Sequence, residues 1–185
     1  MRIIFTIFLF ISFDAQSDVF IIPPSDNAQE RIQEALILAQ PGDEIHLISG
    51  VYKIEDGLSL DVDNILFSGE GHDKTILDFT DQMTGAQGLL VTSNKVLLKD
   101  FAITNTKGDA IKAIGSDGIY FINIRTEWTS GPKSTNGAYG LYPVQSKDVL
   151  IDGCVAIGAS DAGIYVGQSQ NIIVRNSRAE YNVAG

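Results

Sequence analysis

The sequence predicts an all-β fold, a right-handed, single-stranded parallel β-helix closed at its N-terminal end by a short capping helix. Two columns of apolar segments and one column of turn formers, all repeating with the same period, carry that prediction. Five triplets share one register: Ile65-Leu66-Phe67, Val96-Leu97-Leu98, Ile119-Tyr120-Phe121, Val149-Leu150-Ile151 and Ile172-Ile173-Val174. Successive triplets lie 31, 23, 30 and 23 residues apart. A coil of 23 residues, lengthened by seven or eight in alternate turns, accounts for all four spacings. A second column repeats at 22, 30 and 23 residues: Gly88-Leu89-Leu90-Val91, Ala110-Ile111-Lys112-Ala113, Gly140-Leu141-Tyr142-Pro143 and Gly163-Ile164-Tyr165-Val166.

A single coil cannot bury its own apolar residues, so like must stack on like along an axis. Ser93, Ser116, Ser146 and Ser169 each precede a triplet by three residues. Gly69, Asp100, Asn123, Gly153 and Asn176 each follow a triplet's first residue by four and mark a tight corner. Stacked polar side chains of such columns can hydrogen-bond along the ladder. Cys154 shares a column with Phe101, Ile124 and Ser177, so it reads as a small buried filler. As the sole cysteine it can form no intramolecular disulfide.

The open ends of a solenoid need covers. Residues 27–39 read as an amphipathic helix with Asp26 and Gln29 as a capping box. Ile32, Ala35, Leu36 and Ala39 form its apolar stripe, and Pro41-Gly42 is its stop. This helix is the expected lid, and Glu44-Ile45-His46-Leu47-Ile48 the expected first strand. At the other end Gly185 stands where the next Gly-Ile strand would begin, so the domain, residues 18–185, reads as incomplete at its C-terminus.

Residues 1–17 read as an export signal: Arg2, an eleven-residue apolar run from Ile3 to Phe13, and small residues at Ala15 and Ser17 before a cleavage site. The run is too short to span a bilayer, which takes about 20 residues. A periplasmic or extracellular location follows. Without these residues 12 basic and 22 acidic side chains remain and the net charge stays at −10. That charge disfavours nucleic acid and anionic membranes as partners. It also counts against a polyanionic sugar unless a basic patch or a bridging cation reverses the local sign.

The stretch QEALILAQPGDEIHLISGVY, from Gln33 to Tyr52, resembles the N-terminal part of pectate-lyase-like and alginate-epimerase-like β-helix proteins. Residues 96–185 resemble the repeats that follow it. The resemblance implies the fold strongly and an activity weakly, because such folds host lyases, hydrolases, epimerases, adhesins and accessory proteins. Alginate C5-epimerases carry a Tyr-Gly-Phe-Asp-Pro-His run with a catalytic Tyr, Asp and His. The corresponding stretch here is Tyr139-Gly140-Leu141-Tyr142-Pro143-Val144, with Tyr142 for the Asp and Val144 for the His. The resemblance implies a proton-transfer role for Tyr139, with Lys107 on a preceding coil assisting. The missing Asp and His leave packing or sugar stacking as the other reading of Tyr139.

Period-2 alternation turns Ile111, Leu141 and Ile164 inward, so Leu90, Lys112, Tyr142 and Tyr165 point outward on successive coils. Gln145 and Gln168 stack beside them. Aromatic faces, amides and a cation in a row suit a sugar chain, although a tyrosine ladder without ligand gives the same pattern. The two insertions, 79–87 and 127–137, fall at one corner. The second carries Trp128 and Lys133, which can either close over a ligand or, for Trp128, anchor the loop. Asp81, Asp109 and Asp161 can hold Ca²⁺ if they converge. No other cofactor is indicated, and His46 and His72 show no metal spacing.

The outward residues of the first column, Leu66, Leu97, Tyr120, Leu150 and Ile173, form an apolar stripe. It reads as a surface covered by a loop or further segment, or as a self-association face. Three functional readings stand at this point. One is an exported protein that engages a polysaccharide as a binding or accessory module. Another is a lyase or C5-epimerase acting on uronate-type glycans through Lys107, Lys112, Arg125, Lys133 or Tyr139. The third is a periplasmic accessory role like that of the β-helix proteins of copper-enzyme maturation, for which no Met, His or Cys cluster is present.

Overall fold

The computed structural model describes residues 17–184. The expected export signal therefore lies, except for Ser17, outside the described residues, as does Gly185. Among the described residues are one helix and seventeen strands, numbered β1 to β17 in chain order. No helix there is long and apolar enough to cross a membrane.

The strands form three sheets with parallel pairing throughout. Sheet 1 stacks β1 (Val19–Ile22), β2 (Glu44–Leu47), β5 (Leu66–Ser68), β8 (Val96–Lys99), β11 (Asp117–Ile122), β14 (Lys147–Asp152) and β16 (Gln170–Arg175). Sheet 2 stacks β3 (Gly50–Lys53), β6 (Thr75–Asp78), β9 (Ala102–Thr104), β12 (Arg125–Glu127), β15 (Val155–Ile157) and β17 (Arg178–Glu180). Sheet 3 stacks β4 (Leu58–Leu60), β7 (Gln87–Val91), β10 (Asp109–Ile114) and β13 (Leu141–Val144). The chain passes from sheet 1 to sheet 2 to sheet 3 and back, one circuit per coil. This is the predicted β-helix.

The predicted register holds residue by residue. Phe67, Leu98, Phe121, Ile151 and Val174 pair in one column of sheet 1. The first four are sealed from solvent. Each such side chain contributes about 1.5–3 kcal/mol of burial free energy. The Phe67 and Phe101 rings pack edge to face with centroids 5.1 Å apart.

Corners follow from backbone chemistry. Asp100, Asn123, Gly153 and Asn176 all take left-handed φ, from 51° to 67°. Gly69 differs: it serves by lack of bulk, since a Cβ there would lie 2.4 Å from the Asp100 carbonyl oxygen. The Asn123 amide donates to Asp100 at 2.7 Å, and Asn176 to Asp152 at 2.9 Å. Asn176 and Arg175 hold the Asp152 carboxyl below its usual range. In the serine column Ser146 N–H donates to Ser169 at 3.0 Å and Ser116 N–H to Ser146 at 3.3 Å. Cys154 is fully buried, and burial pushes its thiol up to about 11, which suits a filler and no nucleophile.

The N-terminal cap departs from expectation in two respects. Sheet 1 begins before the helix, because β1 pairs with β2 from Val19↔Glu44 to Ile22↔Leu47. Helix α1 (Ala28–Leu38) does bury Ala28, Ile32, Ala35 and Leu36 on the end of the core, as a lid must. No capping box forms: Asn27 is the N-cap and makes no side-chain cap hydrogen bond. Gln29 instead accepts from the Glu55 N–H at 2.6 Å and donates to Asp56 at 3.1 Å. It ties the helix to the first coil. Tyr52, fully buried, donates to the carbonyls of Ile22 at 2.8 Å and Ile48 at 2.6 Å, and burial pushes its phenol up to about 12.

Leu66, Leu97, Tyr120, Leu150 and Ile173 do share one outward column. Tyr120 is 40% and Ile173 56% exposed, while the three leucines are half-buried.

Candidate functional site

Sheet 3 carries the predicted row on its outer face. Ile111 and Leu141 pair across neighbouring coils and are fully buried, which turns Lys112 and Tyr142, their successors, outward. Leu90 pairs with Lys112 on the other side. A bridge between Leu141 and Ile164 carries the register on to Tyr165. Backbone approach at the start of the row is close: a Cβ on Gly140 would lie 2.3 Å from Thr126 Oγ1 and 2.5 Å from the Gly163 carbonyl oxygen. Only glycine fits there.

The row is a cluster, more tightly knit than a ladder. Tyr139 stacks on Tyr165, with centroids 4.7 Å apart and planes 20° from parallel. Tyr142 lies 4.7 Å from Tyr139 and 5.4 Å from Tyr165, tilted to both. The Lys112 ammonium sits 5.0 Å over the Tyr142 ring, a cation–π contact. Tyr165 is the most open of the three, 43% exposed. Gln145 and Gln168 are exposed at the adjoining corner, both in left-handed conformation, φ 51° and 49°. The Gln145 N–H donates to the Gly167 carbonyl at 2.9 Å, which places the two glutamines on successive rungs.

Two carboxylates hold Tyr139 from opposite ends. Its hydroxyl donates to Asp161 Oδ2 at 3.2 Å and its backbone N–H donates to Asp109 Oδ1 at 3.2 Å. Burial raises the Tyr139 phenol, and the hydrogen bond to Asp161 and its charge add to that. Burial likewise raises the Asp109 carboxyl, opposed by the Tyr139 N–H and the Lys112 charge. Sequence reasoning offered Asp109 and Asp161 only as candidate Ca²⁺ ligands and missed this grip. The signal for it was their flanking positions on the coils either side of Tyr139.

The two loops do leave one corner, between sheets 2 and 3, as predicted. Trp128 takes the second of its two readings, the loop anchor. It is 4% exposed and its indole N–H donates to the Thr106 carbonyl at 2.7 Å, so the ring anchors the loop and does not close over a ligand. Asn136 pins the same loop to the Gly131 and Gly158 carbonyls at 2.9 and 2.6 Å. Lys133 is exposed on it. The earlier loop is clamped by Gln82, buried, which donates to the Thr84 and Gln87 carbonyls and accepts the Lys107 N–H at 2.8 Å. Sequence reasoning did not identify Gln82. The Lys107 side chain is exposed, and among the described residues no hydrogen bond or ion pair joins it to Tyr139.

Asp81, Asp109 and Asp161 do not converge: among the described residues no group of three or more His, Cys, Asp and Glu side chains is arranged to hold a metal. His46 is engaged with Ser68 at 2.8 Å, and His72 with Asp73 at 3.1 Å. Arg125, offered as a possible uronate partner, lies on sheet 2 and pairs with Glu127 and the His72 carbonyl. The face of sheet 3 is open. Concavities lie elsewhere, among them one of about 470 Å³ beside α1 at Gln33, Ile37 and Leu58, and one of about 400 Å³ beside Tyr120, Leu150 and Ile173. An open aromatic row is suited to an extended polymer, an enclosed cavity to a small molecule.

A family model described as a right handed beta helix region matches residues 63–185. The chain belongs to the right-handed β-helix family. Two solved structures share this β-helix. An alginate lyase from Paenibacillus sp. str. FPU-7 superposes with a TM-score of 0.59 at 14% identity, over 86% of this chain and 65% of the lyase. A rhamnogalacturonan lyase superposes with a TM-score of 0.57 at 13% identity, over 84% of this chain and 56% of the other. This β-helix chain thus spans less than two thirds of the length of either enzyme. Among curated proteins none matches the sequence significantly.

Proposed function

We propose that the protein is an exported β-helix module that engages a polysaccharide along the outer face of sheet 3. The observation that carries this reading is the registered row of Lys112, Tyr142 and Tyr165, with the amides of Gln145 and Gln168 on the adjoining rungs. Tyrosine faces take the apolar side of a pyranose ring, and amides take its hydroxyls. The fold shared with an alginate lyase and a rhamnogalacturonan lyase supports a carbohydrate role.

A second reading, a lyase or C5-epimerase, draws on the Tyr139–Asp161 hydrogen bond. Either reaction removes a proton from a carbon next to a carboxylate, so it needs a base and a group that neutralises the uronate. Burial and the bond to Asp161 disfavour loss of the Tyr139 proton, which counts against this residue as that base. Lys107 is not joined to it. Binding is therefore the reading favoured here.

NMR of a panel of polysaccharides incubated with the full-length protein, with and without Ca²⁺, distinguishes the two. Broadened glycan signals with no new product are expected. New alkene protons or altered C5 stereochemistry, lost in Tyr139→Phe, would establish turnover instead.

A further inference from the structure

On the proposed carbohydrate reading of that face, its charges bear on which glycans it takes. The row itself carries one cation, Lys112, whose ammonium is held against the Tyr142 ring. Two carboxylates, Asp109 and Asp161, hold Tyr139 within the same aromatic cluster. Among the described residues neither carboxylate makes an ion pair within 4 Å; the Lys112 charge acts on Asp109, and Asp161 faces the Tyr139 hydroxyl. The remaining groups are neutral: phenols, and the exposed amides of Gln145 and Gln168. Lys107 and Lys133 are exposed at the corner before the row, on the connections leading into β10 and β13. The whole chain adds a background of −10.

We infer that this face takes a neutral polysaccharide and discriminates against polyuronates. A polyuronate brings a carboxylate with every sugar ring, and a chain laid along three coils sets several of them beside Asp109 and Asp161. Like charges so placed cost binding energy that Lys112, held against Tyr142 and already facing Asp109, does not return. Lys107 and Lys133 stand at the corner before the row and not on it. A neutral glycan meets no such penalty and uses the aromatic faces and amides alone.

The test compares neutral β-glucan and galactan with polygalacturonate and alginate, by affinity electrophoresis and calorimetry on the full-length protein, across a salt series. The neutral polymers should bind with little salt dependence. Polyuronates should bind about tenfold more weakly or worse at low salt, and gain as salt screens the repulsion. Asp109→Asn with Asp161→Asn keeps both acceptors for Tyr139 and should narrow the gap between the two polymer classes, while Lys112→Gln should widen it. Polyuronate binding that is tighter than neutral binding and weakens with salt would overturn the inference and leave the carbohydrate reading standing. So would tight polyuronate binding that appears only with Ca²⁺. No binding of any polymer would remove the carbohydrate reading and this inference together.

Discussion

The Tyr139 hydroxyl donates to Asp161 Oδ2 at 3.2 Å across 22 residues of sequence, joining one coil to the next at the most aromatic point of the surface. Asp161 raises the phenol both as acceptor and as charge, after the larger effect of burial. Asp161→Ala should therefore bring the Tyr139 pKa down toward the ordinary 10, and Asp161→Asn should fall between. Difference ultraviolet titration against Tyr139→Phe isolates this one tyrosine. An unchanged midpoint in Asp161→Ala would mean that the contact is absent in solution.

Tyr52 gives the pH dependence a direction. Its folded pKa, about 12, stands above its unfolded value near 10. Its contribution is fully present below pH 10 and is lost as pH rises through about 12. Ionisation also breaks its bonds to the Ile22 and Ile48 carbonyls. Tyr52→Phe should cost about 1–3 kcal/mol at neutral pH by removing the hydroxyl from the Ile48 carbonyl and from the Ile22 carbonyl, which keeps its bond from the Ile48 N–H. It should also flatten the alkaline loss, read by urea denaturation at several pH values.

Gly140→Ala tests the tight start of the row. The added carbon has no room between Thr126 and the Gly163 backbone, so a loss of about 2–3 kcal/mol is expected. An unshifted denaturation midpoint would contradict the packing described.

Trp128 is the protein's one tryptophan, which makes its placement easy to check. A buried, hydrogen-bonded indole should emit at short wavelength, resist acrylamide quenching and stay unchanged when a glycan binds. A shift on glycan addition would return Trp128 to the ligand wall.

The apolar column of sheet 1 is proposed as a self-association face, on the exposure of Tyr120 and Ile173. Sedimentation of the full-length protein should show a species larger than the monomer, and Tyr120→Ser with Ile173→Ser should dissociate it. A monodisperse wild-type monomer would contradict this.

The sequence was legible where one physical constraint repeats. Stacking forces Phe67, Leu98, Phe121 and Ile151 into one column, so the period of sheets 1 and 3 could be read directly. Sheet 2 was not legible, because three-residue strands such as Arg125–Glu127 are too short for alternation to show. β1 was missed because four residues before a helix carry no repeat signal. The outward row was foreseen from its pairing, but its clustering was not. Tyr139 follows an insertion and sits out of phase with the columns, so its stacking on Tyr165 and its hold by Asp109 and Asp161 depend on loop geometry. Trp128 was undecided for the same reason.

The most direct test of the central claim is glycan affinity of the wild-type protein against Tyr142→Ala with Tyr165→Ala, by electrophoresis through gels containing the panel polysaccharides. Retardation of the wild type that is lost in the double variant, with the fold intact by circular dichroism, is the predicted result. Equal retardation of both proteins, or none of either in any polysaccharide, would contradict the claim that the outer face of sheet 3 binds sugar.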